Sequence, residues 1–138
     1  MKSLTFHIEH GDWNADIQLL AAHSLHDLAE GIIKSVGFDL DHCFGFYDNL
    51  KDYYHSMEEY TLFADIGEES KKEDTGVEGT STESVFKPKK QMLFLFDYGD
   101  DWKFIVTCIG EANVPAFKRP KILATSGTPP VQYPPYEE

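Results

Sequence analysis

The chain has 138 residues, the size of one domain, and its 41% hydrophobic and 14% aromatic residues are enough to bury a core. Its formal net charge of −12 repels phosphate backbones, which argues against a broad nucleic-acid groove. No apolar run reaches about 18 residues, which excludes a helical membrane span, and the opening MKSLTFHIEHGDW lacks the apolar block of a secretory signal.

Residues Ser3 to Glu9 alternate, with Leu4, Phe6 and Ile8 on one side and Thr5, His7 and Glu9 on the other. That is the pattern of a half-buried strand. His10-Gly11-Asp12 supplies turn chemistry. Asn14 to Leu20 reads as the return strand, with Ile17 and Leu19 inward and Trp13 capping the hairpin end.

Ser24 and Asp27 resemble a capping box ahead of Leu25, Leu28, Ala29, Ile32, Ile33 and Val36. Those spacings put one apolar stripe on a helix that lies on a sheet, and Gly37 stops it. Gly31 is either a weak spot of about 1 kcal/mol relative to Ala or a close-packing site. His42 to Tyr47, HCFGFY, reads as the next strand, and Gly45 marks a bulge or a close backbone approach. Tyr53, Met57, Tyr60 and Phe63 recur at roughly helical spacing, which suits a partly covered helix or an irregular lid.

From residue 65 to 84 the composition turns polar, and a flexible acidic insert is expected. Val85 and Phe86 return to the core as an anchor. The stretch Gln91 to Ile109, QMLFLFDYGDDWKFIVTCI, then places two apolar runs around Gly99-Asp100-Asp101 and reads as a hairpin. A three-residue loop sets Tyr98 opposite Trp102, Phe96 opposite Phe104 and Asp97 opposite Lys103, all favourable cross-strand pairs. Both faces are mostly apolar, so the hairpin belongs inside a sheet with cover on both sides. The tail, residues 115–138, carries all but one of the seven prolines and is expected to wrap the domain with little regular structure. The order is β-β-α-β, an insert, then β-β: a single α+β domain over 1–138, one main amphipathic helix on a mixed β-sheet.

Phe94 to Trp102, FLFDYGDDW, resembles the YEYDFGDDW signature of the plasmid pRiA ORF-three-like domain family. Ser24-Leu25-His26-Asp27-Leu28 is similar to the TLxxLH segment that opens that family's helix, and His42-Cys43-Phe44-Gly45-Phe46 to its HLYEF strand. Gly127-Thr128-Pro129-Pro130 falls where the family has a Gly- and Pro-rich segment. Phe38 stands where the family has Trp, the helix-opening His falls one position earlier, and the terminal Cys-Gly-Gly element is missing. The resemblance covers nearly the whole chain and implies a small, β-grasp-like α+β domain. It implies no particular activity, and for some members it implies a mobile-element context of plasmids and insertion elements.

Asp97, Asp100 and Asp101 put three carboxylates within five residues at a hairpin end. Oxygen ligands of that kind suit a hard divalent cation, but Asp also accepts backbone N–H bonds and tolerates left-handed turns, which is the preferred explanation. His7 and His10 fall on opposite faces of a strand, while His23 and His26 straddle a helix start. His42 would form a polar pair with Asp97 if their strands are neighbours. The basic residues Lys87, Lys89, Lys90, Lys118, Arg119 and Lys121 read first as solvated ends and second as a patch for an anionic partner. Cys43 and Cys108 read as small buried hydrophobes in a reducing cytoplasm.

No nucleophile elbow, Walker loop, Rossmann glycine set or Cys-x-x-Cys is present. The preferred function is a non-enzymatic, cofactor-free binding module with a protein or small-ligand partner. Its candidate surface is Asp97, Tyr98, Asp100, Asp101, Trp102, His42, Tyr53 and Tyr60. The alternative is a hydrolase or nuclease using a divalent cation on Asp97, Asp100 and Asp101 with His42.

Overall fold

Alternation over the first twenty residues builds a hairpin in the computed structural model, which describes residues 1–65 and 75–134. Strand β1 (Lys2–His10) pairs antiparallel with β2 (Trp13–Leu20) from Ser3↔Leu20 to His10↔Trp13. Gly11 holds the turn at a φ of 58°, a conformation that a Cβ would oppose. Leu4, Phe6, Ile8, Ala15, Ile17 and Leu19 all bury on one face. Trp13 is buried with them, edge-on to Phe104 at 6.2 Å.

Helix α1 (Leu25–Val36) covers that face. Ser24 Oγ accepts the Asp27 N–H at 3.1 Å, and Asp27 Oδ2 accepts the Ser24 N–H at 3.0 Å. Gly37, at a φ of 82°, closes the far end on the carbonyls of Ile33 and Lys34. A cap contributes about 1 kcal/mol, whereas each buried Leu or Ile contributes roughly 1.5–3 kcal/mol. Leu25, Leu28, Ile32 and Ile33 therefore hold the helix down, and the caps set its ends.

The remaining elements are β3 (Phe44–Tyr47), a 3-10 turn (Tyr53–His55), β4 (Glu59–Thr61), α2 (Leu62–Asp65), β5 (Thr75–Gly76), α3 (Thr82–Val85), β6 (Gln91–Phe96), β7 (Trp102–Asn113) and β8 (Lys121–Ser126). They complete one eight-stranded sheet in the order β5-β4-β3-β6-β7-β1-β2-β8. Among the described strands only the β4–β5 pair is parallel. The class is the expected one, α+β with one main helix on a mixed sheet. No helix among the described residues is long and apolar enough to cross a membrane. Strand β6 is buried on both faces, with Met92, Phe94 and Phe96 toward α1 and Leu93 and Leu95 away from it. Strand β7 is covered only on the helix side, because Lys103 and Ile109 are exposed.

Four expectations are corrected. The β6–β7 register is shifted by two residues: Phe96 faces Trp102, Phe94 faces Phe104 and Leu95 faces Lys103. The loop is the five residues 97–101, because Asp97 sends its N–H to the Cys43 carbonyl instead of to β7. A shift of two preserves which face each side chain takes, so the core stripe was placed correctly and the Asp97–Lys103 pair was not.

Residues 53–63 are a 3-10 turn, a strand and the start of α2 instead of one helix or lid. The side chains of Asp48, Asn49 and Asp52 accept the N–H groups of Met57, Lys51 and Tyr54, which ties the backbone into turns.

Residues 66–74 of the expected flexible insert lie outside the described residues. Residues 75–84 brace the helix start, with Val77 and Thr82 fully buried. Thr82 donates its N–H to the His23 carbonyl at 2.7 Å and its hydroxyl to the Ala21 carbonyl at 3.0 Å. The tail, finally, is not merely extended: β8 completes the sheet against β2.

Gly31 is the close-packing site. A Cβ there would stand 2.9 Å from Pro120 Cβ and 3.2 Å from Ile17 Cδ1. Helix propensity favours Gly31→Ala by about 1 kcal/mol, but overpacking against a rigid proline costs about 1–3 kcal/mol. We expect Gly31→Ala to lower the urea midpoint, with a net loss of about 1 kcal/mol. A raised midpoint would show that the tail does not lie tight on α1.

Candidate functional site

Asp97 fixes the bend between β6 and β7. It is buried and takes a left-handed φ of 63°, and Asp101 takes 51°. Asp97 Oδ1 accepts the N–H groups of Gly99 at 3.1 Å and Asp100 at 3.3 Å. Its carbonyl accepts the Asp101 N–H at 2.6 Å, and its own N–H donates to the Cys43 carbonyl at 2.9 Å. Asp100 and Asp101 are exposed. No three His, Cys, Asp or Glu side chains among the described residues converge to hold a metal ion. The aspartates are thus spent on a turn and on solvent.

His42 does meet Asp97: its Nε2 lies 3.4 Å from Asp97 Oδ2 and 3.6 Å from Asp41 Oδ1. The tail reaches the same place. Tyr133 donates its hydroxyl proton to Asp41 Oδ2 at 2.8 Å, so His42 Nε2, 2.7 Å away, is the donor to Tyr133. Gln132, buried, accepts the Asp39 N–H at 2.7 Å and donates to the Asp39 carbonyl and Asp41 Oδ1, each at 3.1 Å. Sequence reasoning missed this latch. Its one signal is an amide and a phenol set between prolines.

On the sheet face away from α1, tyrosines form a ledge. Tyr47 and Tyr98 share a hydroxyl hydrogen bond of 2.6 Å. Their rings close over Gly45, where a Cβ would stand 2.8 Å from both Tyr47 Cε2 and the Tyr98 hydroxyl. Gly45 is therefore a close approach of side chains to backbone. Tyr53 packs on Tyr47 at 5.0 Å and stacks on Tyr54 at 4.4 Å, with their planes 26° apart. Burial pushes the Tyr53 hydroxyl well above its ordinary pKa, and the nearby Asp101 charge adds to the rise. Tyr54 is 65% exposed and Met57 is 89% exposed. Leu50, packed at the ledge, also lines a groove of about 330 Å³ with Glu9, His10, Gly11, Leu93, Lys103 and Ile105.

The structure divides the predicted surface. Tyr53 and Tyr98 share the ledge at 6.2 Å, and Asp97 and His42 meet at the bend. Trp102 and Tyr60 pack on the helix-side core instead. Trp102 faces Phe96 and lies 4.9 Å edge-on from Phe38, and its buried Nε1 finds no hydrogen-bond partner among the described residues. Tyr60 faces Phe46 and donates to Glu58 at 2.8 Å. The single Trp102–Tyr98–Tyr53–Tyr60 patch does not form: Trp102 stays on the helix-side face with Phe104, while Tyr98, in the loop beyond the Asp97 bend, lies on the opposite face with Tyr47 and Tyr53. The histidine pairs are spent singly: His7 on Asp16 at 2.6 Å, His10 on the Lys103 carbonyl at 2.7 Å, His23 on the Leu20 N–H at 3.0 Å and His26 on Glu30 at 3.1 Å.

A family model described as Plasmid pRiA4b ORF-3-like protein matches residues 13–132. No curated protein matches the chain. A crystal structure of a protein of unknown function from Methanosarcina mazei Go1 is similar, with a TM-score of 0.71 at 14% identity. That similarity covers 91% of this chain and 70% of the other, and at such identity it shows a shared fold.

Two measurements test the geometry. Asp97→Ala loses the N–H acceptor and places a Cβ-bearing residue without a local hydrogen bond in a left-handed turn, so we expect a loss of about 2 kcal/mol on urea unfolding. Asp97→Asn keeps an acceptor oxygen and left-handed tolerance, and should lose less than about 1 kcal/mol. Equal losses would mean that charge, not turn geometry, is what Asp97 supplies.

Tyr60 is raised from 10.0 to about 12, by burial first and then by its bond to Glu58. A raised folded-state value means that the unfolded chain ionises first. Stability should be intact below pH 10 and decline as pH rises toward 12. Tyr60→Phe should make that decline shallower, and an unchanged slope would assign the decline to the other tyrosines.

Proposed function

The chain belongs to the plasmid pRiA4b ORF-3-like family, and we propose that it is a non-enzymatic binding module whose contact surface is the tyrosine ledge. The observation that carries this is the exposure of Tyr54 and Met57, three residues apart, with Tyr54 stacked on Tyr53 and Tyr53 packed on Tyr47 and Tyr98. Contiguous apolar surface held at one place marks an interaction site, and aromatic anchors on a rigid support give affinity at little entropic cost. The groove below Leu50 offers room for a side chain, with Lys103 and Glu9 at its rim. A protein segment suits this surface better than a small ligand does, since the groove is open to solvent and Tyr54 and Met57 stand exposed. Two free cysteines suit a reducing, cytoplasmic setting. The plasmid and insertion-element context of some relatives would supply protein partners without asking for chemistry from this domain.

The test is affinity capture with the wild-type chain and with Tyr54→Ala/Met57→Ser, both at exposed positions. The expected outcome is a partner retained by the wild type and lost by the variant, with residues 50–57 protected from hydrogen exchange in the complex. A partner held equally by both proteins, or protection confined to other segments, would defeat the ledge as the contact surface.

A further inference from the structure

Among the described residues the strand β8 is an open edge of the sheet, at the end opposite β5. It ends the strand order, pairs with β2 on one side only, and has every residue exposed, with Ile122 at 40% and Leu123 at 52%. An unpaired edge presents a row of N–H and C=O groups at strand spacing, a template for another extended chain.

The charge beside this edge runs against that of the molecule. Lys118, Arg119 and Lys121 lie at its start, and Lys34 projects from the last turn of α1. Arg119 and Lys34 line a pocket of about 60 Å³ with Glu30, Gly31, Pro120 and Ile122. Glu30 is engaged with His26 at 3.1 Å along the helix surface. Lys121 Nζ sits 4.4 Å over the Phe117 ring. None of the four cations forms an ion pair among the described residues. In a chain of net charge −12, four of its twelve Lys and Arg gather here without carboxylate partners among the described residues.

We propose that β8 docks an acidic, extended peptide segment of a partner protein as a ninth strand, with a carboxylate of that segment seated between Lys34 and Arg119. Main-chain pairing on β8 supplies the affinity, and the basic pocket at its N-terminal end sets register and sign. Ile122 and Leu123 give apolar contact on the two faces. Nucleic acid is disfavoured by the net charge, and a strand edge offers it no main-chain pairing. This site lies on the opposite side of the strand order from the tyrosine ledge, so either can fail without the other.

The probe is a fluorescein-labelled heptapeptide of alternating glutamate and valine, titrated against the full chain by anisotropy. An alternating lysine–valine heptapeptide is the control. Binding of the acidic peptide alone is expected, with affinity falling as salt rises and slowed hydrogen exchange across residues 121–126. Lys34→Glu/Arg119→Glu should weaken binding about tenfold. If that variant loses its fold, Arg119→Gln replaces it, with a smaller loss in the same direction. The proposal is overturned by no binding to the wild type, by equal binding of the lysine peptide, by an affinity indifferent to the charge changes, or by binding without protection of β8. Displacement by millimolar inorganic phosphate would likewise overturn it, reducing the site to a plain anion pocket. So would β8 already protected in a dimer of this chain, which would give the edge to a second copy.

Discussion

The bend at Asp97 constrains everything around the middle of the sheet. A left-handed φ costs an ordinary residue about 1–2 kcal/mol. Asp97 offsets that cost by accepting two backbone N–H groups on one carboxylate oxygen, each worth about 1 kcal/mol. Its backbone does the rest. The N–H reaches back to Cys43 and starts the β3–β6 pairing, and the carbonyl closes on Asp101 before β7 begins. One residue thereby sets where three strands meet, which accounts for the Asp-Tyr-Gly-Asp-Asp-Trp string on folding grounds alone. The second carboxylate oxygen faces His42, so the same residue also ties the bend to the segment that the C-terminal latch grips.

The two faces of the sheet then diverge. The helix side is a continuous core from Leu4 through Phe104 and Val106 under α1, and its residues have little freedom to serve a partner. Among the described residues the other side is covered over β3 and β6, where Tyr47, Leu93 and Leu95 gather Leu50, Tyr53 and Tyr98. Cover made from loop tyrosines leaves hydroxyls and ring edges at the surface. The thinly covered face therefore exposes the tyrosine hydroxyls and ring edges, while α1 and its caps supply stability on the other.

Much of this was legible in the residues, and the limits have physical causes. The β1–β2 alternation, the capping box at Ser24 and the Gly37 stop are local signals, and each formed as read. The β6–β7 stripe followed from period-two alternation, but the register did not, because it depends on a turn whose hydrogen bonds go to Cys43, far away in sequence. The same turn carries Tyr98 out of the strand and onto the face opposite Trp102, so the two rings expected to share a surface are separated. Tyr53 to Phe63 mimicked helical spacing, yet Asp48, Asn49 and Asp52 compete for the backbone there. Strand β8 was hidden by its flanking prolines, which mark the ends of the strand and do not interrupt it. The Gln132–Tyr133 latch has no local signature at all, since its partners lie more than ninety residues away.

Charge is the remaining guide, and it separates surfaces that composition alone blends together. The acidic bend pairs with nothing cationic that the hairpin pattern offered, since Lys103 faces Leu95. Lys90 is taken by Glu58 at 2.8 Å, and Lys2 by Glu111 at 3.3 Å. Of the cations without an ion pair among the described residues, Lys34, Lys118, Arg119 and Lys121 collect at the edge beside α1, while Lys51, Lys87, Lys89 and Lys103 lie elsewhere. An exposed ion pair adds only about 0–1 kcal/mol to folding, so leaving those cations unpaired forgoes little stability. It also keeps a local positive potential within a negative field, and such contrasts orient an approaching acidic chain. A basic strand edge and an aromatic ledge thus present different surface chemistry on one sheet.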